Sequence, residues 1–191
     1  VVFFTNFADQ AVMLPVAAVI AAGLALAGWR RGLLGWMIAI PGVLGAVALL
    51  KYIFFACGVP LAETGIRSPS GHTAAAAAIY GGAVVILLRG RAPWLLLAAV
   101  PPLLALLFGI SRVAVGAHDV AEVLAGAAVG LAGAALLAAI AGRSPPMRLW
   151  PIGLATLVVM FVFHDRRLDA EGMIHNFAFF TWLPLPAVCR V

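Results

Sequence analysis

Six long apolar runs, separated by short polar connections, constrain this chain more than any other feature. They fall at about residues 12–29, 33–57, 73–88, 94–110, 120–140 and 149–163. Most approach the roughly 20 residues that an α-helix needs to cross a hydrocarbon core, and the third and sixth reach that length by extending into their polar flanks. With 65% of residues hydrophobic and only 10% charged, the runs have too little polar surface to cover them as an ordinary soluble domain. The expected fold is an all-α integral membrane protein, with six transmembrane helices in one bundle over residues 1–191 and an interfacial tail at 164–191. Pro41 and the Pro101-Pro102 pair lie inside two runs and predict kinks. No Lys or Arg precedes Arg30, so the first run lacks the basic leader of a secretory signal and reads as a retained helix.

Six crossings also assign sides. Lys51, the connection 57–70, the connection 111–119 and both termini would share one face. The opposite connections carry Arg30 and Arg31, Arg89 and Arg91, and Arg143 and Arg148, with no acidic residue among them. The positive-inside rule makes that face cytoplasmic, so the first face looks onto the periplasm or cell exterior. The net charge of +5 comes largely from these orienting arginines, which argues against nucleic acid as a partner and for membrane lipids.

Most of the remaining polar chemistry sits in two short stretches. The first is Arg67-Ser68-Pro69-Ser70-Gly71-His72-Thr73. Ser68 is a good N-cap, Pro69 suits a first helical position, and Ala74 to Ala78 propagate a helix strongly. A helix is therefore expected to start near Ser68. Its free N–H groups around Ser70 and Gly71 would face an anion, and His72 in the first turn would be in reach of that anion to give or take a proton. On this stretch alone an ordinary capped membrane helix with an interfacial histidine remains equally open.

The second stretch, residues 111–118, contains Ser111, Arg112 and His118, and Glu122 lies four residues beyond the histidine. If the next helix begins near His118, residues 118 and 122 share a face. A carboxylate there can accept a hydrogen bond from one imidazole nitrogen and leave the other as a free lone pair, the arrangement of an oriented nucleophile or base. The alternative is a solvated charge cluster at the membrane edge.

Taken together, Pro69-Ser70-Gly71-His72 and, downstream, Ser111-Arg112, five residues and His118 resemble the second and third signature motifs of the type 2 phosphatidic acid phosphatase (PAP2) family of membrane lipid phosphatases and phosphotransferases. The resemblance covers about residues 51–130. It implies that His118 attacks phosphorus to form a phosphohistidine and that His72 protonates the leaving alkoxide. Arg112 and the backbone of Ser70 and Gly71 would hold the phosphoryl oxygens, no cofactor or metal would be required, and the substrate would be a lipid phosphate or isoprenyl diphosphate. A lipid phosphotransferase and a non-catalytic headgroup-binding protein are the other readings it leaves open. With the topology above, the expected location is a bacterial inner membrane with the site facing the periplasm.

Three positions depart from the family pattern. Glu122 stands where the third motif has Asp. Lys51 of the first motif is present, but Gly58 and Val59 stand where Arg and Pro belong. Arg67 is either a replacement phosphate clamp or a cation at the headgroup level. Beyond the motifs, Gly126 and Gly130 form a small-xxx-small pair expected to bring the helix after His118 close to the Ala74–Ala78 segment. Cys57 and Cys189 would lie on the outer face, where they either pair as a disulfide or leave Cys57 as a buried thiol. Glu63 reads as a loop acid. His164 and His175, in a tail of mixed charges and aromatics, read as interfacial side chains on the site face, where the tail could gate access for a lipid.

Overall fold

The structure is a computed structural model, and it describes residues 1–57 and 68–180. Arg67, Glu63, the Cys57 side chain and Cys189 lie outside the described residues. Among the described residues the regular structure is helical, apart from one bridge between Arg89 and Ala92. A short N-terminal turn, Val2–Ala8, leads at a 45° bend into α1 (Gln10–Leu26). There follow α2 (Arg30–Cys57), α3 (Gly71–Leu88), α4 (Trp94–Ala114), α5 (Val120–Ala141), α6 (Trp150–Phe163) and α7 (Ala170–Phe180).

By length and apolarity, α2, α3, α4 and α5 can each cross a bilayer, and the bent pair formed by Val2–Ala8 and α1 makes a fifth. The helix α6 is apolar but has 14 residues, about 21 Å, against a hydrocarbon core of about 30 Å. Length alone therefore supports four or five crossings rather than the six expected. Large apolar side chains such as Leu95, Leu96, Leu106, Phe161 and Val162 are exposed on the outer faces. In water such a surface would aggregate, whereas lipid solvates it. Pro15, Pro41, Pro101 and Pro102 all lie within helices.

The most enclosed helix is α3, in which Thr73 to Ile79 are all buried. Its sequence makes this possible: the Ala run leaves no bulk to separate it from its neighbours. It packs against α5, where Gly126 and Gly130 face the backbone of Ser70 and Ala74 so closely that any Cβ would overlap it. The expected small-residue contact between these two helices is therefore present. From Ala76 to Gly81 the helix is wound as a π-helix, a wider turn that recurs beside functional sites.

At one end of the bundle the basic connections gather. Arg91 donates to Ser144 Oγ at 2.6 Å and to the Pro145 carbonyl at 2.8 Å, and the Arg89 guanidinium donates to the Ala138 carbonyl. The opposite end holds the polar side chains Lys51, His72, Arg112, His118 and Glu122 together with α7. There α7 lies against α2, with Phe177 beside Tyr52 and His175 edge-on to Phe55. The expectation for His164 is corrected: it is buried, its Nε2 is 2.8 Å from the Phe3 carbonyl, and its ring packs on Phe3 and Phe7. A histidine with one ring face on aromatics and one nitrogen on a carbonyl pins the α6 end to the N-terminal turn.

Candidate active site

The start of α3 differs from the expected one. Its N-cap is Ser70, not Ser68: the Ser70 Oγ accepts from the Thr73 N–H at 3.4 Å and from Thr73 Oγ1 at 3.0 Å. Ser68 is engaged elsewhere, its N–H donating to Glu122 Oε1 at 2.8 Å and its Oγ receiving the Lys51 ammonium at 2.6 Å. The Ser70 N–H donates to the Glu122 carbonyl at 3.0 Å, and the residue is fully buried. The expected phosphate-holding role of the Ser70 backbone N–H is corrected accordingly, because that donor is already used to dock α3 on α5. Gly71 does line the cavity described below.

Gly116 ends α4. At φ +67° it closes a Schellman turn in which the Ala117 N–H reaches the Arg112 carbonyl at 3.0 Å and the Gly116 N–H reaches Val113 at 2.9 Å. Arg112 is thereby held in the last turn of one helix while the chain reverses to deliver His118 just before the next. Asp119 caps α5, and Glu122 completes a capping box by accepting the Asp119 N–H at 3.1 Å. The same Oε2 lies 2.8 Å from His118 Nδ1. Both groups are buried, and the Glu122 carboxylate receives donors on both oxygens, which offsets the cost of its burial. With Nδ1–H donated to the carboxylate, the lone pair of His118 is on Nε2. Burial lowers the His118 pKa below its ordinary value, against the opposing hydrogen bond from Glu122, and the Lys51 charge lowers it further.

Lys51, Gly71, His72, Arg112 and His118 line one cavity of about 550 Å³. Beside it the Arg112 Nε–H is buried and has no hydrogen-bond partner among the described residues. With Lys51, Arg112 and Arg167 among its lining side chains, the cavity offers fixed positive charge to an anion. Lys51 is buried, its ammonium held by Ser68 and by Glu171 Oε2 at 2.8 Å. The structure thus brings together five of the expected residues, with Glu122 behind them and Ser70 at the base of α3.

Sequence reasoning gave no cavity role to three acids that line it, Asp9, Asp169 and Glu171, nor to Arg167. Glu171, on α7, reads in sequence as one more charge in a mixed tail. Asp9 caps α1 and places Oδ2 4.0 Å from His72 Nε2. An Asp just before an apolar run is a recognisable helix cap, but nothing local in the sequence ties it to His72.

A helical bundle with an apolar exterior and a pocket lined by two histidines, a lysine and two arginines has the make-up of a membrane protein that handles an anionic group. The comparison with known proteins agrees. The chain belongs to the PAP2 superfamily, whose family model matches residues 13–145, and membership points to phosphatase or phosphotransferase activity. It is similar to a Klebsiella pneumoniae protein described as an uncharacterized 22.5 kDa protein in cps region, with 34% identity over 143 residues, covering 73% of this chain and 68% of that protein. No solved structure matches the chain.

Proposed function

We propose that the protein is a membrane phosphatase, the whole chain acting as one domain, that removes phosphate from a lipid phosphate or isoprenyl diphosphate through a phosphohistidine on His118. The observation that carries the proposal is one cavity lined together by Lys51, His72, Arg112 and His118, with the His118 Nδ1 held by Glu122. In the first step the His118 Nε2 lone pair forms a bond to phosphorus. The bond from phosphorus to the leaving oxygen breaks, and His72 gives that oxygen its proton. Lys51 and Arg112 neutralise the phosphoryl oxygens as charge spreads over them, and Gly71 leaves room for the group at the head of α3. In the second step water attacks phosphorus, its proton passes to His72, and the N–P bond breaks. Arg67 would be a further clamp.

The six-span reading, with the short α6 as the last crossing, puts both termini and the cavity on one side. The clustering of Arg89 and Arg91 with residues 144–145 at the far end supports a cytoplasmic assignment for that end. The cavity then faces the periplasm at the outer leaflet of a bacterial inner membrane. A lipid whose tail stays in the bilayer reaches such a site more readily than a soluble ester does.

Phosphate release by the purified protein in detergent with EDTA tests the proposal, using phosphatidate, phosphatidylglycerol phosphate, undecaprenyl diphosphate and lipid A with His118→Ala in parallel. Release that disappears in the variant supports the phosphatase. Phosphate appearing on a lipid acceptor instead of in solution would replace it with a phosphotransferase. Vanadate binding without turnover of any of these lipids would leave a headgroup-binding protein.

A further inference from the structure

We infer that Asp9 is a positioning residue for His72, holding the imidazole and balancing the proton it must carry to the leaving group; this rests on the reading of His72 as the general acid. A general acid must arrive protonated and correctly turned. Three permanent cations, Lys51, Arg112 and Arg167, line the same cavity, whereas the Asp9 carboxylate faces the imidazole itself.

The placement of Asp9 is over-determined by its backbone contacts. Its Oδ1 accepts the Ala11 N–H at 2.9 Å as the cap of α1 and the Leu168 N–H at 3.0 Å from the segment before α7. Both bonds fall on Oδ1. Oδ2 is left to face His72 Nε2 at 4.0 Å, about 1 Å beyond a hydrogen bond. Catalytic contacts are often this loose before substrate binds and tighten in the complex. The side chains of Asp9 and His72 are 12% and 20% exposed, so the pair is largely shielded from the solvent that would otherwise screen it. Asp9 sits at the 45° bend between the N-terminal turn and α1, and it lines the cavity together with Val2, Thr5 and Asn6 of that turn.

A carboxylate so placed acts through His72 and touches no phosphoryl oxygen. Its effect should therefore scale with how much the departing oxygen needs a proton. An alkoxide needs one to leave; a 4-nitrophenolate, which spreads its charge over the ring, does not.

The test uses the full-length protein in detergent, with dodecyl phosphate and 4-nitrophenyl phosphate as probes, and the variants Asp9→Asn, His72→Ala and the double variant. Asn keeps an oxygen for the Ala11 and Leu168 N–H groups and caps a helix about as well as Asp, so the fold is retained while the charge is removed. The expected result is a fall in kcat of about tenfold to hundredfold on dodecyl phosphate, at least tenfold larger than the fall on 4-nitrophenyl phosphate. His72→Ala should show the same selectivity, and the double variant should be no worse than His72→Ala alone. Equal losses on both probes, no loss on either, or additive losses in the double variant would overturn the inference while leaving the phosphatase reading intact. A wild-type protein that releases phosphate from neither probe nor from any lipid would overturn both.

Discussion

His118 Nδ1 and Glu122 Oε2 lie 2.8 Å apart, and the other oxygen of the same carboxylate receives the backbone N–H of Ser68. One side chain therefore orients the imidazole and fastens the segment that precedes α3.

Glu122→Gln should damage both functions. Each carboxylate oxygen accepts at least one N–H, so whichever way the amide turns, a donor meets a donor. An unsatisfied buried donor costs about 1–3 kcal/mol, and mis-set histidine tautomers lower kcat on the order of 10³ to 10⁴. Glu122→Asp, one methylene shorter, should keep more of the activity and lose the Ser68 bond first. Melting temperature and phosphate release, measured together, separate the two effects.

The pH profile should be set by the lowered pKa of His118. The neutral imidazole carries the nucleophilic lone pair, so kcat/KM should fall as pH drops through a value below the ordinary 6.5, not at 6.5 itself. Stability follows the same sign. Below pH 6.5 the unfolded chain binds a proton at this residue that the native one resists, so its contribution is full above 6.5 and lost as pH falls toward the lowered pKa. Thermal unfolding of wild type and His118→Gln across that range checks this, since the variant should lack that component of the slope.

Gly71→Ala should separate ligand binding from folding. A Cβ there meets only ordinary contacts, 3.7 Å from Val47 and 3.8 Å from Gln10 and Lys51, so the melting temperature should not change appreciably. The added methyl projects beside the Lys51 chain in the phosphate cavity. Vanadate inhibition should weaken by about tenfold, equivalent to roughly 1.4 kcal/mol.

Gly126→Ala should be destabilising by about 1–3 kcal/mol, because its Cβ would press on the Ser70 backbone, which cannot yield without moving α3. Gly45→Ala, on the lipid-facing side of α2 with no atom within 4 Å, should instead gain about 0.5–1 kcal/mol from helix propensity. Thermal melts of the two variants in the same detergent provide the comparison.

Helix positions were largely legible in the sequence because length and apolarity decide them: α2 to α6 lie within a few residues of the runs that predict them, with α4 extending four residues farther. The pairing of His118 with Glu122 was legible for the same kind of reason, being a matter of helical spacing. What was not legible depends on contacts between distant segments. Ser68 looks like a cap until Lys51 and Glu122 are seen to occupy it, which passes the capping role to Ser70. Asp9 and Glu171 reach the cavity from 63 residues before His72 and 120 residues after Lys51, separations that no local pattern encodes. The short α6 matches its apolar run closely, but its 14 residues fall short of a hydrocarbon core, so the run located the helix without counting the crossings.

The Glu122 carboxylate also links chemistry to assembly. Until the start of α3 has docked on α5, one of its oxygens has no Ser68 N–H to receive, and Lys51 keeps only its contact with Glu171. A partly assembled chain would carry the same side chains without the contact that fastens the Glu122 carboxylate to the segment before α3. On the proposed reading, the site is completed by the same contact that joins the two helices.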